Sequence, residues 1–221
     1  MRIAIAGGHG KIARLLIGEL AARGDVPVAL VRQLGHVDDV VDDGAEAVVL
    51  DLERSNARDV AEAIAGADAV VFAAGAGPGS TAERKDTVDR GAAALLADGA
   101  EQAGVRRYVL VSSMGAGAPA PAGTDEGFAA YLAAKHAAEV DLRGRDLDWT
   151  ILRPGGLTDE PGQGMVQLDE SVPSGSIPRE DVAAVLAAIL HEPASAGLTV
   201  ELVQGVVPVD AAVAAVIDRA S

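Results

Sequence analysis

The first thirteen residues, MRIAIAGGHGKIA, constrain the fold more than any other stretch. Residues 3–6 read as a short buried strand. Gly7, Gly8 and Gly10 follow without a break, and an apolar helical pattern (Ile12, Leu15, Leu16, Leu20) starts directly after them. Strand, glycine turn and helix in that order form a cradle for the pyrophosphate of a dinucleotide. The glycines turn tightly and let backbone approach the phosphates, while the helix offers unpaired N–H groups and the positive end of its dipole. The residues fit G-x-G-x-x-A counted from Gly8 or G-x-x-G-x-x-A counted from Gly7, with Ala13 small enough for close helix–strand packing. A plain structural turn is the competing reading.

The rest of the chain keeps the alternation. Strand-like runs lie at 28–31, 47–50, 69–73, 108–111 and 150–153, and helical patterns at 11–23, 37–42, 57–65, 87–103 and 131–143. Short apolar runs separated by helices imply βαβ units with right-handed crossovers. The expected fold is α/β: a doubly wound, mostly parallel sheet of Rossmann type in three αβα layers, one domain over residues 1–221 with a small C-terminal lobe. Residues 154–178 are rich in glycine and proline and read as an irregular segment on the substrate side, with a short strand at 164–168; an ordinary surface loop is the alternative. Helix returns at 179–191 and 209–220, with a strand at 198–203 between them.

Composition removes several classes of function. The net charge of −15 argues against nucleic acid or an anionic membrane surface as a partner. The absence of cysteine excludes disulfides, thiolate catalysis and cysteine metal sites, and His9, His36, His136 and His191 lack metal-ligand spacing, so no metal is expected. No signal peptide precedes the first strand and no apolar run reaches the ~20 residues of a membrane span, which points to a cytoplasmic protein.

In an open parallel sheet ligands bind beyond the carboxyl ends of the strands, so the residues just after each strand carry the functional reading. Arg32 follows the second strand, where an acidic residue would suit a ribose 2′-hydroxyl and an arginine suits a 2′-phosphate; NADP is favoured, with NAD possible. Asp51 and Leu52 follow the third: the carboxylate can accept from an adenine amino group or cap the next turn. Ala73, Ala74 and Gly75 follow the fourth and are small enough for a cofactor to lie on their backbone, and the GAGPG run at 75–79 reads as a flexible loop. Ser112 and Ser113 follow the fifth. Tyr131 and Lys135 stand later on one helix face, four residues apart, in a chain with only two tyrosines and three lysines. An ammonium near a phenol stabilises the phenolate, so Tyr131 could exchange a proton with a substrate oxygen that a serine hydroxyl holds; packing with a surface lysine is the alternative. Pro154, Gly155 and Gly156 follow the sixth strand and could admit the nicotinamide end, whereas Arg153 reads as the structural partner of an acid.

The blocks GGHGKIA, VRRYVLVSSMGA, YLAAKHAAEVDL, LDWTILRPGGLTDEPGQG and IPREDVAAVL resemble, in order and spacing, those of the atypical short-chain dehydrogenases/reductases. The chain is most similar to the small NAD(P)H-binding, NmrA-like or sugar-epimerase-like members. The resemblance implies a nicotinamide cofactor with Gly7, Gly8, His9, Gly10, Lys11 and Ile12 around its pyrophosphate. It puts Arg32 at the adenosine ribose, Asp51 at adenine and residues 73–75 along the cofactor. Ser113 (or Ser112), Tyr131 and Lys135 fall on the family's serine, tyrosine and lysine, Lys135 also holding the ribose. The asparagine that extended members carry after the fourth strand is missing from 87–103. The expectation is an NADP-dependent oxidoreductase for a small carbonyl or alcohol; a non-catalytic NADP(H) redox sensor and an epimerase or dehydratase with retained NAD are the alternatives.

Overall fold

The computed structural model describes residues 1–77, 79–119 and 123–220. Seven strands run parallel in the middle of the molecule: β1 (Arg2–Ala6), β2 (Val26–Val31), β3 (Glu46–Val49), β4 (Ala69–Phe72), β5 (Arg107–Val111), β6 (Asp148–Pro154) and β10 (Thr199–Gln204). β8 (Met165–Asp169) adds antiparallel to β10, and β11 (Val207–Pro208) antiparallel to β8. The nine-stranded order is β11-β8-β10-β6-β5-β4-β1-β2-β3, while β7 (Gly156–Thr158) and β9 (Ser176–Pro178) form a separate parallel pair. From β1 the chain winds outward to β3, then returns to β4 on the opposite side of β1. That reversal opens a crevice above the carboxyl ends of β1 and β4, where ligands of doubly wound sheets bind.

Period-two alternation within the strands builds two cores. Ile3 and Ile5 of β1 join Ala29, Val31, Val71 and Val109 on one face, packed by α1 (Lys11–Ala22), α7 (Arg179–Leu190) and α8 (Val209–Ala220). Ala4, Val28, Leu30, Val70, Phe72 and Tyr108 fill the other face under α3 (Ala57–Ala63), α5 (Ala93–Ala103) and α6 (Glu126–Arg143). Both faces of the parallel strands are covered, which is why these runs are continuously apolar in sequence. Leu16, Ile17 and Leu20 of α1 are fully buried, each worth about 1.5–3 kcal/mol in removed apolar surface.

The doubly wound αβα architecture matches the expectation, and three elements differ in detail. The helix expected at 87–103 starts earlier, with α4 (Ala82–Lys85) capped by the Thr81 hydroxyl, a π-helical stretch Asp86–Ala92, and then α5. α6 starts at Glu126 rather than 131, because Asp125 caps it by accepting from the Phe128 amide at 3.0 Å; Gly127 masks that start in the sequence. Residues 154–178 contain three short strands, and β8 joins the main sheet because its alternating Val166 and Leu168 are buried in the α8 side core. α2 (Val37–Asp42) lies where expected.

Candidate active site

The turn between β1 and α1 is made by three glycines, Gly7, Gly8 and Gly10. Gly7 has φ +76°, and a Cβ there would stand 2.6 Å from the Ala74 Cα. A Cβ on Gly8 would stand 2.7 Å from the Ala29 Cβ, so this glycine lets the turn lie directly on β2. Gly10 donates to the Gly7 carbonyl at 2.8 Å and serves as N-cap of α1. No side chain caps α1 and its first turn holds no acid, whereas α3 has a complete capping box from Asn56 and Asp59. The uncapped N–H groups and dipole end of α1 remain available to phosphate oxygens. Ile12 packs against the core below.

A cleft of about 540 Å³ opens in front of this turn. Its floor is the loop after β4, Ala73 to Ala76, and its outer wall carries Arg32, His36, Asp51 and Leu52. A nicotinamide dinucleotide fits these residues: glycine backbone and an uncapped helix for the pyrophosphate, small residues beneath, polar and charged groups at the adenosine end. His9 stacks face to face on His36 with ring centroids 3.7 Å apart, and its Nε2 donates to the Asp39 carboxylate 2.7 Å away. Burial, reinforced by the charges of His9 and Arg32, holds the His36 imidazole below its ordinary value. Asp51 does cap the following turn, accepting from the Glu53 amide at 3.1 Å, and also lines the cleft. Arg32 is exposed and forms no ion pair among the described residues. Beside it lies a second hollow that Arg54 and Arg84 also line. Arg84 pairs with Glu53 at 3.0 Å and Arg54 with Asp51 at 3.6 Å.

Ser112, Ser113, Tyr131 and Lys135, the serine, tyrosine and lysine candidates, are not among the residues that line this cleft, and they have unequal freedom. Tyr131 is half-buried on α6, stacks on Phe128 at 5.9 Å, and its hydroxyl has no hydrogen-bond partner among the described residues. The Lys135 ammonium lies 5.8 Å from the Tyr131 ring centroid. It is buried, donating to Val111 at 3.0 Å and Ala74 at 3.4 Å and pairing with Asp89 at 3.2 Å. Among the described residues the Ser113 hydroxyl has only a 3.3 Å contact to the Met114 carbonyl, so it can turn to a ligand. The Ser112 hydroxyl is committed to Glu139 at 2.6 Å and its amide to the Leu152 carbonyl at 2.8 Å, so neither donor, expected at the cofactor, is free for one. Glu139 is fully buried and also takes Arg153, at 2.8 and 2.5 Å, and Arg143, at 3.1 Å. Burial alone would raise the Glu139 carboxyl, but hydrogen bonds from Arg153 and Ser112 and the two guanidinium charges hold it below its ordinary value. Arg153 is thus the structural partner of an acid, as its position implied.

Residues 154–164 are tied down from several sides. Pro154 accepts from Met114 at 2.9 Å. A Cβ on Gly155 would stand 2.4 Å from the Gly175 carbonyl, and Gly156 donates to that carbonyl at 2.9 Å. These glycines therefore admit the backbone of Gly175. Asp181, buried at the start of α7, accepts from Gln163 at 3.1 Å and Gly164 at 2.8 Å. Asp159 bridges Lys11 at 2.7 Å and Arg179 at 2.5 Å, and hydrogen bonding from Lys11 holds its carboxyl below the ordinary range. The Lys11 side chain, expected at the pyrophosphate, here pairs with this segment. In the 75–79 run, Pro78 lies outside the described residues.

Sequence reasoning missed His36, Arg84, Arg54, Asp89 and Asp181. Thr81 three residues before Arg84 is a capping signal that would have started the helix early enough to bring Arg84 into view.

A family model described as NAD(P)H-binding matches residues 7–193. The chain belongs to the NAD(P)H-binding family. It is 33% identical over 210 residues to a Bacillus subtilis protein named as an uncharacterized sugar epimerase, covering 95% of this chain and 97% of that one. Among solved structures it is similar to a putative NAD-dependent epimerase/dehydratase from Bacillus halodurans, with TM-score 0.89, 35% identity and 99% of each chain covered. It is also similar to an oxidoreductase from Lactococcus lactis, with TM-score 0.87, 26% identity and 99% and 97% of the two chains covered. The fold, the cofactor class and the oxidoreductase/epimerase-like kinship follow. No helix among the described residues is long and apolar enough to cross a membrane.

Proposed function

We propose that this chain is an NADP-dependent oxidoreductase for a small carbonyl or alcohol, working in the cytoplasm on a small-molecule partner. The observation that carries the reading is the uncapped α1 behind its glycine turn, facing a cleft whose far rim holds Arg32, which forms no ion pair among the described residues. A guanidinium without a carboxylate partner suits a 2′-phosphate; Arg54 and Arg84 line the neighbouring hollow but are balanced there by Asp51 and Glu53. A nicotinamide cofactor, when bound, supplies or takes up the hydride.

The chain's own residues do the rest. The α1 N-terminus and the Gly7–Gly10 turn hold the pyrophosphate, and residues 73–75 support the cofactor from below. Tyr131, whose hydroxyl has no hydrogen-bond partner among the described residues, gives a proton to the substrate oxygen or takes one from it, and Ser113 steadies that oxygen. Titration with NADPH and NADH, followed by nicotinamide fluorescence, tests the cofactor assignment: NADPH binds tightly and NADH weakly. Binding of neither refutes the reading. In a carbonyl-reduction screen, Tyr131→Phe abolishes turnover and spares cofactor binding; unchanged turnover removes Tyr131 from the chemistry.

One observation favours the sensor alternative. Lys11, at the phosphate-binding helix end, also grips Asp159 of the 154–178 segment, so a phosphate that draws Lys11 away would loosen that segment. Identical limited proteolysis with and without NADPH counts against it. An epimerase or dehydratase would instead retain NAD through purification and show no net cofactor consumption.

A further inference from the structure

Beneath the floor of the cleft lies an ion pair closed off from solvent. The Lys135 side chain is 4% exposed and that of Asp89 is 0% exposed, with Nζ and Oδ1 3.2 Å apart. The ammonium donates to the Val111 carbonyl at the end of β5 and to the Ala74 carbonyl after β4, while Asp89 Oδ1, which has no hydrogen-bond partner among the described residues, balances its charge. The second Asp89 oxygen accepts from the Ala76 amide at 3.2 Å. The two side chains therefore join the end of β5, the loop after β4 and the π-helical stretch into one unit.

That loop is the floor of the cofactor cleft. From the other side it is pressed by the glycine turn, where Gly7 leaves no room for a Cβ over Ala74. The π stretch fits the same purpose. Val88 and Ala92 line the cleft while Asp89, between them in sequence, is buried under it. π-Turns inside helices occur mostly at functional sites. A buried lysine that donates to two carbonyls at the cleft floor, and whose charge is balanced by a contacting carboxylate, is turned to the backbone rather than to a ribose hydroxyl or the Tyr131 phenol.

We infer that Lys135 and Asp89 are a positioning pair that sets the cofactor floor through the backbone of Ala74 and Ala76, and that Lys135 does not act directly on ribose or phenol. The inference rests on the cofactor reading above and reassigns one residue within it. Replacing both members of a buried ion pair by apolar groups can be tolerated, whereas removing one leaves an uncompensated charge. The functional readout must therefore be separated from folding.

The test uses Asp89→Ala, Lys135→Met and the double variant, with two measurements: NADPH affinity, and hydrogen–deuterium exchange of the 73–77 amides in the unliganded protein. Either single change weakens NADPH binding about tenfold or more through misplacement of the floor, and speeds exchange at Ala76. The double variant loses no more than the worse single one, since both act on one unit. A lysine that held the ribose predicts otherwise: Asp89→Ala frees it and leaves NADPH affinity unchanged or tighter, while Lys135→Met alone weakens it. That pattern overturns the proposal. Should Asp89→Ala not fold, Asp89→Asn, which keeps an acceptor for Ala76 but removes the charge, still weakens NADPH binding if the pair sets the floor, and unchanged affinity refutes it. If the unmodified protein binds neither nucleotide, the cofactor reading falls by itself; unaltered exchange at 73–77 in both single variants then refutes the positioning pair separately.

Discussion

Gly7→Ala separates backbone strain from close approach. Gly7 has φ +76° and Gly24 has φ +85°, but a Cβ on Gly7 would meet the Ala74 backbone at 2.6 and 2.7 Å while one on Gly24 would meet nothing within 4 Å. The left-handed conformation costs an alanine about 1–2 kcal/mol at either site. The stiffer unfolded chain returns about 0.4–1 kcal/mol of that, so Gly24→Ala comes out near 1 kcal/mol unfavourable. At Gly7 the new methyl overlaps main-chain atoms rather than the flexible end of a side chain. Relief requires the turn and the loop after β4 to part, and overpacking of this kind adds about 1–3 kcal/mol. The total is then about 2–4 kcal/mol. At roughly 2–4 °C per kcal/mol for a chain of this size, Tm falls by about 2–4 °C for Gly24→Ala and by about 4–16 °C for Gly7→Ala. Thermal unfolding followed by circular dichroism gives the first comparison and NADPH titration the second. Gly24→Ala leaves cofactor affinity unchanged and Gly7→Ala weakens it, because only Gly7 spaces the cleft floor. Equal Tm shifts with equal affinities would falsify the packing argument.

Further outcomes follow from the same contacts. Arg32→Ala weakens NADPH binding about tenfold, as loss of one charged hydrogen-bond donor implies, and leaves NADH within about twofold; parallel titrations decide, and an equal loss for both nucleotides removes Arg32 from 2′-phosphate recognition. Glu139→Gln leaves Arg153 and Arg143 without their buried carboxylate and costs about 3 kcal/mol at neutral pH. Because the folded Glu139 carboxyl sits below its ordinary value, its stabilisation is complete above the unfolded value of about 4.3 and fades as pH falls through the lower folded one. Urea midpoints of the two proteins should therefore converge only in acid, and a gap that closes already near neutrality contradicts the assignment. Asp181→Ala strips the acceptor from the Gln163 and Gly164 amides. Limited proteolysis then cuts the 159–164 stretch faster while the sheet stays intact; an unchanged cleavage pattern shows that other contacts hold the segment.

Much of this protein is legible in its sequence because the deciding interactions are local. The strand, the glycine turn and the start of α1 occupy consecutive residues, and Gly7, Gly8 and Gly10 state the backbone geometry through what they lack. Arg32 and Asp51 follow their strands directly, so an α/β reading already puts them at the carboxyl edge. Period-two and helical apolar spacing locate the elements, and the helix starts at Glu126 and Ala82 escaped only where a glycine or a break in apolar spacing hid the cap.

Which side chains meet was decided by the tertiary structure. Tyr131 and Lys135 share a helix face from spacing alone, but only the packing of the π stretch under the loop after β4 puts Asp89 against Lys135. Ser112 and Glu139, and Lys11 and Asp159, are likewise distant in sequence, Lys11 and Asp159 by 148 residues. Gly155 needs its missing side chain for Gly175, across a strand pair that no local pattern announces. Hydrogen bonding and charge act over a few ångströms, so the state of each ionisable group depends on which strands become neighbours. Sequence carries chain order and local preference, and strand neighbourhood emerges only when the sheet closes around its core.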